Sequence, residues 1–163
     1  SEDPLLAGKI AAAMVRGIQS RHIAATVKHF ACNNKETNRK NSDSRLSQRA
    51  LQEIYLRPFE IVIREAEPWA VMSSYNIING RRASESRELL TDILREDWGY
   101  TGMVMTDWWT KGEHYKEILA GNDLKMANGY PERVQQAMDL GLVSREDLET
   151  CARRVLELIL KID

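Results

Sequence analysis

Four short apolar stretches alternate with longer helical patterns along this chain, and this alternation is the feature that most constrains its fold. The stretches lie at 23–30, 69–76, 103–107 and 122–126, and the last is the weakest. Nearly continuous apolar runs of this length predict strands buried on both faces, whereas the segments between them have helical periodicity. We therefore predict an α/β fold in which about four parallel strands alternate with helices.

The helical segments have recognisable start and stop signals. Ser47 is in position to cap a helix in which Pro58 predicts a kink, and Gly99 is a stop signal for the next helix. Pro131 and Gly141 bracket a later one. The helices are expected at 5–19, 47–66, 86–99, 112–120, 131–141 and 144–162.

Composition and charge exclude several classes of protein. The chain has 163 residues, of which 43% are hydrophobic and 29% charged, an ordinary composition for one globular domain. No linker, repeat or low-complexity tract divides it, so we expect residues 1–163 to form a single domain. The net charge of -1 gives no electrostatic reason to bind nucleic acid or an acidic membrane surface.

The sequence also lacks membrane and export signals. No apolar run is long enough to span a membrane, and the first residues, SEDPLLAGKI, contain no signal-peptide core. Cys32 and Cys151 form neither a metal-binding motif nor a disulfide framework, so we expect two buried free thiols. These features favour a cytoplasmic location, with a secreted or periplasmic parent protein as the alternative.

Polar and charged side chains follow each of the four predicted strands. The strand ends read Lys28-His29, Ser73-Ser74-Tyr75-Asn76, Thr106-Asp107-Trp108 and Asn122-Asp123. Because parallel α/β folds gather their ligands at the carboxyl ends of the strands, we expect these side chains to converge on one face.

Asp107 is the most informative of them, since the stretch MVMTDWW places one carboxylate between a buried strand and two indole rings. A buried carboxylate is costly unless it is paired or used. We expect Lys28, and Arg39 from the long polar loop at 32–45, to donate charge-assisted hydrogen bonds that keep Asp107 ionised. An ionised carboxylate in a dry site is a candidate nucleophile or base, and an indole beside it suits the flat apolar face of a sugar ring.

Structural roles stay open for most of these residues. Taken alone, His29 is more typical of a hydrogen-bonded core histidine, and Tyr75 and Trp108 could be ordinary packing aromatics. Asp123 is the carboxylate hardest to dismiss as a second catalytic group. The residues expected in solvated structural or surface roles are Glu36, Asp43, Asp97, His22 and His114.

Five longer stretches form a set that is specific when taken in order. They are ATVKHFACNNKETNR, LSQRALQEIYLRPFEIVI, WAVMSSYNIING, LLTDILREDWGYTGMVMTDWW and AGNDLKM. The set resembles glycoside hydrolase family 3, especially its β-glucosidases, and extends from SEDPLLAGKI to the last helix. The resemblance implies a (β/α)8 TIM-type barrel, of which this chain is a part, and a retaining enzyme that hydrolyses terminal β-linked glucose.

The resemblance also implies site residues. Asp107, in the VMTDW motif, matches the catalytic nucleophile, which forms a covalent glycosyl-enzyme intermediate and retains the anomeric configuration. The residues that match sugar contacts of the same subsite are Lys28, His29, Arg39, Met72, Tyr75 and Trp108. No metal or organic cofactor is implied, and the expected partner is a small carbohydrate substrate.

Two features depart from the family pattern. Lys125 stands where many relatives have an acidic residue, so the details of that subsite are open. The chain also offers only four candidate strands, whereas a full barrel has eight strands and about 250 residues. The chain has no initiator methionine, so we expect an upstream portion to be missing, and the resemblance implies that the chain is the C-terminal half of the barrel domain. The resemblance assigns a further sugar-binding aspartate and an arginine to the missing upstream half, and the general acid/base glutamate to a later domain.

Such a fragment is expected to have little or no activity by itself, because leaving-group protonation contributes on the order of 10²- to 10⁴-fold. Its unpaired sheet edges predict a homodimer formed through those edges. A β-xylosidase or an N-acetylhexosaminidase of the same family is an alternative, although KHFACNN departs from the KHFPG of the latter. A non-catalytic sugar-binding module is a second class of function. A doubly wound sensor domain is a third, for which the sequence has no phosphate-binding glycine loop.

Overall fold

The computed structural model describes the whole chain, Ser1–Asp163. Its helices are α1 (Pro4–Gln19), α2 (α-helical over Gln48–Ala50 and Arg57–Ala66, π-helical over Leu51–Leu56 between them), α3 (π-helical, Glu88–Asp97), α4 (His114–Ala120), α5 (Pro131–Asp139) and α6 (Arg145–Ile162). Its strands are β1 (Thr26–Phe30), β2 (Asp43–Ser44), β3 (Ala70–Ser73), β4 (Ile77–Ile78), β5 (Arg81–Arg82) and β6 (Met103–Thr106). Every helix predicted from the sequence is present, with ends that differ by a few residues.

The central sheet consists of three parallel strands in the order β1–β3–β6. Ala70 of β3 pairs with Thr26 of β1 and with Met103 of β6, and Ser73 pairs with Thr106. The carboxyl ends of the three strands therefore lie side by side, as predicted. The α/β class with parallel strands and alternating helices is confirmed.

The fourth predicted strand is weaker than expected. Residues 122–126 make a single parallel bridge, between Leu124 and Met105, instead of an extended ladder. The amide of Val104 donates a hydrogen bond to the carboxylate of Asp123 at 2.8 Å. In a regular ladder this amide would donate to a backbone carbonyl of the neighbouring strand, so the side chain interrupts the ladder here. Backbone bonds from Thr106 to Leu124 at 2.9 Å and from Leu124 to Val104 at 3.2 Å still hold the segment against β6.

A second, smaller sheet fastens the long polar loop near the strand ends. Strand β2 pairs in parallel with β4, and β4 pairs antiparallel with β5 through a turn at Asn79-Gly80. Both turn residues have positive φ, 48° and 87°, which is the conformation that an Asn-Gly hairpin turn requires. The Asn79 side chain also bonds the backbone of Leu46 in both directions, at 2.9 and 3.0 Å. This sheet was not predicted from the sequence.

Helix α2 shows how Pro58 is accommodated. The Ser47 hydroxyl accepts from the Ala50 amide at 3.1 Å, as expected for the cap. A π-helical segment then occupies Leu51–Leu56, and Pro58 stands in the first turn of the α-helical segment that follows. A proline has no N–H to donate to the preceding turn, and the helix changes type next to it. The kink expected at Pro58 stays a prediction.

The main core lies between the central sheet and helices α2 and α3. Its fully buried members include Phe30, Leu56, Leu90, Leu94 and Val104. The Phe30 ring packs edge-on against Phe59 at 5.0 Å and against Trp98 at 5.8 Å, an arrangement that adds to the stabilisation from burial.

Helix α1 packs with a different face from the one its apolar spacing suggests. Gly8, Ala12 and Val15 are buried, whereas the apolar residues Leu6, Ile10, Met14 and Ile18 are exposed. A Cβ on Gly8 would lie 2.9 Å from side-chain atoms of Ile61, so the small-residue face lets α1 approach α2 closely. Burial between these two helices outweighs the larger side chains on the other face.

One edge of the central sheet is β1, and the short segment at Leu124 forms the other side. No helix combines the length and the apolar character that a membrane crossing requires. Both Cys32 and Cys151 are buried free thiols, as predicted. Burial raises the pKa of Cys32 to about 12 and that of Cys151 to about 11, so both stay protonated at neutral pH.

Candidate active site

Asp107 lies directly after β6 and is 6% exposed. Its amide donates to the carbonyl of Ser73 at the end of β3, at 3.1 Å. The Oδ1 atom accepts a 2.7 Å hydrogen bond from the Trp108 amide. The Oδ2 atom is buried and has no hydrogen bond, although Nε2 of His29 stands 3.3 Å away. One carboxylate oxygen is thus held in place and the other is left available.

His29, at the end of β1, is a neutral neighbour of this carboxylate. Burial is the largest cause that lowers its pKa, and the positive charges of Lys28 and Arg39 lower it further, against the opposing charge of Asp107. The imidazole is therefore uncharged at pH 7, where it can donate or accept a hydrogen bond without neutralising the carboxylate.

Tyr75, after β3, is buried and donates its hydroxyl hydrogen to the carbonyl of Trp108. Burial raises the pKa of its phenol, and the negative charge of Asp107 raises it further. The hydroxyl group is consequently protonated at neutral pH and can serve as a donor beside the carboxylate. The backbone of Trp108 contacts both Asp107 and Tyr75, which ties the two side chains together.

Lys28 and Arg39 are placed differently from the prediction. Neither donates a hydrogen bond to Asp107, whose bound oxygen is served by a backbone amide instead. Lys28 is an exposed residue of β1 and lines the same surface cavity as His29. Arg39 pairs with Glu36 at 3.0 Å and stacks over the Tyr75 ring at 4.7 Å. Their influence on the site is a positive electrostatic field instead of direct pairing.

Two exposed indoles stand at the mouth of the site. Trp108 is 46% exposed and Trp109 is 53% exposed, and their rings meet edge-on at 5.5 Å. Lys40 donates to the carbonyl of Trp109 at 3.3 Å and lies 5.0 Å from the Tyr75 ring. The loops at 36–41 and 108–111 are therefore joined across the strand ends, with Lys111 also bonding Asn41 at 3.0 Å. Trp109 and Lys40 were not singled out from the sequence, although the WW doublet and the neighbour of Arg39 were the available signals.

Met72 is buried in β3, one residue before Ser73, and pairs in register with Met105. Its position on the strand that leads into Tyr75 is compatible with the predicted role beside the sugar. Among the described residues, no group of three or more His, Cys, Asp or Glu side chains is arranged to hold a metal ion.

The remaining candidate carboxylate and the other two histidines differ in burial and in hydrogen-bond partners. Asp123, the strongest candidate for a second catalytic group, has a fully buried side chain that is bonded to Arg95 at 2.8 Å and to Arg154 at 2.9 Å. His22 is exposed, as expected. His114 differs from the expectation of a surface residue, since its Nδ1 atom is buried without a partner. Burial and the charge of Lys125 lower the pKa of His114 to about 4.

The arrangement around Asp107 suits nucleophilic or general-base chemistry on a polar ring-shaped substrate. A negative oxygen without a hydrogen bond, two neutral side chains with polar hydrogens and two exposed indoles all face one end of the sheet. A buried carboxylate oxygen without a hydrogen bond is rare in purely structural positions.

Comparison with known proteins gives a consistent result. The family described as "Glycosyl hydrolase family 3 N terminal domain" matches residues 1–158. Beta-glucosidase A of Butyrivibrio fibrisolvens is 62% identical over 149 residues, which is 91% of this chain and 18% of that protein. An exo-α-(1→6)-L-arabinopyranosidase of Bifidobacterium longum is 41% identical over 162 residues, which is 99% of this chain and 21% of that protein.

Solved structures agree with the sequence relatives. Beta-glucosidase 3B of Thermotoga neapolitana in complex with glucose has a TM-score of 0.94 and 42% identity, covering 99% of this chain and 24% of that one. The Kluyveromyces marxianus β-glucosidase in complex with glucose has a TM-score of 0.95 and 39% identity, covering 99% and 20%. The chain spans about one fifth of the length of the curated relatives it matches. On these matches, which confirm the resemblance seen in the sequence, the chain belongs to glycosyl hydrolase family 3.

Proposed function

We propose that this chain carries the nucleophile of a retaining β-glucosidase and that Asp107 is that nucleophile. The observation that carries the proposal is the Oδ2 atom of Asp107, which is buried at the strand ends and has no hydrogen bond. Desolvation without a compensating bond keeps the electron pairs of that oxygen available for attack on carbon.

In the proposed reaction, Oδ2 attacks the anomeric carbon of a terminal sugar. A carbon–oxygen bond to Asp107 forms while the bond to the leaving-group oxygen breaks, and a general acid supplies a proton to that oxygen. Water then attacks the same carbon, which releases the sugar with its original configuration and regenerates the carboxylate. The Trp108 amide fixes Oδ1 throughout, and neutral His29 leaves the carboxylate negatively charged.

The remaining predicted sites have supporting roles in this proposal. His29 and Tyr75 lie close to Asp107 and would contact sugar hydroxyls, and Trp108 offers an exposed aromatic face for a sugar ring. Lys28 and Arg39 would bind the outer hydroxyls, because neither is committed to the carboxylate. Met72 would line the floor of the same subsite.

The names of similar proteins, and the ligands in their solved structures, support a substrate class. A β-linked glucoside is favoured by the relatives named beta-glucosidase, one of which is 62% identical, and by the structures solved with glucose. The arabinopyranosidases at 41% and 40% identity favour an α-L-arabinopyranoside as the second candidate. A β-xyloside or an N-acetylhexosaminide is a weaker alternative within the same family.

We further infer that residues 1–163 form one domain and the second half of a (β/α)8 barrel. The support is that three strands and one bridge are about half of the eight strands of a barrel, and that the chain covers only about one fifth of its relatives. Glu36, a carboxylate close enough to influence His29, is exposed and paired with Arg39, so it is a poor general acid. The isolated chain is therefore proposed to have little or no turnover.

The outer edge of β1 is unpaired in this chain, which supports the proposed homodimer. Light scattering over a range of concentrations tests it. A dimer that dissociates when a proline replaces Thr26, whose N–H points away from β3, would support edge pairing, and a strictly monomeric chain at high concentration would exclude it.

Covalent trapping tests the nucleophile without relying on a general acid. A 2-deoxy-2-fluoro-β-glucoside with a dinitrophenolate leaving group needs no protonation to depart, so a half-site that retains Asp107 should still be labelled. Mass spectrometry of digested chain is expected to locate the sugar on Asp107. The Asp107→Asn variant should not be labelled, whereas Asp97→Asn, a change at an exposed carboxylate, should behave as wild type.

Other outcomes distinguish the alternatives. Faster labelling by the corresponding α-L-arabinopyranoside would favour the second substrate class. Glucose binding seen by NMR without any adduct would indicate a non-catalytic sugar-binding module, and an adduct on another residue would reject Asp107.

A further inference from the structure

A buried ion pair beneath the 108–112 loop has no part in the proposed reaction. Glu117 of α4 is 1% exposed, and its Oε2 atom accepts a hydrogen bond from Nζ of Lys125, whose side chain is 5% exposed. Removing two charges from water is costly even when they are paired, so a gain in stability is not a sufficient reason for this ion pair. Its other contacts indicate what it holds.

Each partner makes one further hydrogen bond. Oε1 of Glu117 accepts from the hydroxyl of Ser84 at 2.8 Å, in the turn before α3. Nζ of Lys125 donates to the hydroxyl oxygen of Thr110 at 3.0 Å. A Cβ on Gly112 would lie 2.3 Å from Oε1 of Glu117, so the loop backbone rests directly on the carboxylate. The ion pair therefore connects the segment 110–112 to the body of the protein.

That segment continues directly from the residues that orient Asp107. The Trp108 amide bonds Oδ1 of Asp107, and the Trp108 carbonyl receives the hydroxyl of Tyr75. The next amide, of Trp109, donates to the carbonyl of Met126 at 3.1 Å. The backbone at 108–109 is thus placed by Met126 on one side and by the Thr110–Lys125 bond on the other.

The same cluster also reaches the end of β3. The Asn122 side-chain amide donates to the carbonyls of Ser84 and Glu117, both at 2.8 Å, and its oxygen accepts from the Ser73 hydroxyl at 2.7 Å. The Ser73 carbonyl is in turn the acceptor for the Asp107 amide. Two routes of short contacts therefore lead from Glu117 to Asp107, one through the loop and one through the sheet.

We propose that Glu117 and Lys125 are positioning residues, whose buried ion pair holds Thr110 and thereby fixes the 108–110 backbone that orients Asp107 and Tyr75. The loop part of this inference stands on contacts alone, and only its effect on chemistry rests on the function proposed for Asp107.

Indole NMR signals of the four tryptophans, Trp69, Trp98, Trp108 and Trp109, provide a readout that a general stabilising role would not move. We expect Lys125→Met to shift and broaden the Trp108 and Trp109 signals and to leave those of Trp69 and Trp98 in place. The matched control is Lys116→Met, which removes an exposed lysine from the same helix as Glu117.

Thr110 separates loop positioning from the stability of the ion pair. Thr110→Val keeps both charges but removes the hydroxyl group, and it should reproduce the indole shifts of Lys125→Met. Thr110→Ser restores the hydroxyl group and should return the signals to their wild-type positions. If Lys125→Met perturbs all four tryptophans, the variant has lost its fold and the two Thr110 variants decide the matter.

The labelling rate of Asp107 then measures the chemical consequence. Misplacement of a reacting group by about 1 Å can reduce a rate by about 10²-fold, so we expect Thr110→Val to slow labelling by roughly 10- to 100-fold. Unchanged Trp108 and Trp109 signals in folded Thr110→Val and Lys125→Met would overturn the positioning role. If wild-type chain is not labelled at all, the proposed function fails, while the indole signals still decide the role of the ion pair.

Discussion

Two buried aspartates, one directly after β6 and one in the neighbouring segment 122–126, have nearly opposite surroundings. Asp123 is fully buried, and its two oxygens are bonded to Arg95, Arg154 and the Val104 amide at 2.8 to 2.9 Å. Asp107 is almost as buried, yet one of its oxygens has a single backbone bond and the other has none. Burial is similar, and the difference lies in the hydrogen bonds.

This difference separates a structural carboxylate from a chemically available one. The charge of Asp123 is compensated by two guanidinium groups and joins α3 and α6 to the sheet. The charge of Asp107 is only partly compensated, which is a local cost that folds tolerate chiefly where the group is used. The two residues should therefore respond in opposite ways to the same substitution.

The largest expected effect is on the reactivity of Asp107. Replacing it by asparagine removes the nucleophilic oxygen, and we expect labelling by the activated fluoroglucoside to fall by roughly 10⁴-fold or more. The free energy of unfolding, measured with urea, should stay the same or rise by about 1 kcal/mol, because no ion pair is lost. Substantial labelling of the asparagine variant would contradict the distinction.

Asp123→Asn should have the second largest effect, on stability instead of reactivity. The variant leaves two guanidinium groups without their carboxylate, one of them almost completely buried, and such losses cost about 3 to 5 kcal/mol. Urea unfolding measures the change, with Asp97→Asn as the control at an exposed position. A loss below about 1 kcal/mol would show that the network is not structural.

Replacing Arg154 tests whether the two arginines bonded to Asp123 contribute unequally to stability. Its side chain is partly exposed, and Arg95 remains bonded to Asp123 when Arg154 is replaced. We expect Arg154→Met to lower the free energy of unfolding by about 1 kcal/mol, well below the effect of Asp123→Asn. An equal loss for the two variants would mean that α6, and not the carboxylate, dominates the stability of this region.

The sequence predicted the frame of both sites and could not predict their difference. Periodicity located β1, β3 and β6, and it correctly placed Asp107 at the carboxyl end of β6. Asp123 was expected at the same end, but it lies beside Val104, near the amino end of β6. The partners of Asp123 come from two helices that are distant in sequence, at Arg95 and Arg154. Only the three-dimensional packing of α3 and α6 brings them together.

The other departures concern which groups bond to Asp107. Lys28 is next to His29 in the sequence, but it is exposed on β1, and the hydrogen bond to Asp107 comes from a backbone amide. The amide of Trp108 took the place expected for a lysine or an arginine, and backbone donors leave no trace in residue identity. Similarly, Lys125 stood out in the sequence as an anomaly until Glu117 proved to be its partner.

The smallest expected effect concerns the pKa of His29, a neighbour of Asp107. It tests the contrast between Asp107 and Asp123 through the charge that each carboxylate exerts on this imidazole. The negative charge of Asp107 raises the pKa of His29, against burial and the nearby cations, which lower it below 6.5 overall. Asp107→Asn removes that charge, so the pKa of His29 should fall further, whereas Asp123→Asn should leave it unchanged. NMR titration of the imidazole, assigned with a His29→Gln variant, measures both.

The lowered pKa of His29 also determines how the stability of the fold depends on pH. Because the folded state holds His29 with a lowered pKa, the unfolded chain binds protons more readily as the pH falls below 6.5, and stability is lost on that side. Asp107→Asn should extend this loss to lower pH, since its folded state resists protonation of His29 more strongly. A rise in the pKa of His29 in Asp107→Asn would mean that the carboxylate does not act on the imidazole as an anion, and the contrast with Asp123 would then rest on hydrogen bonding alone.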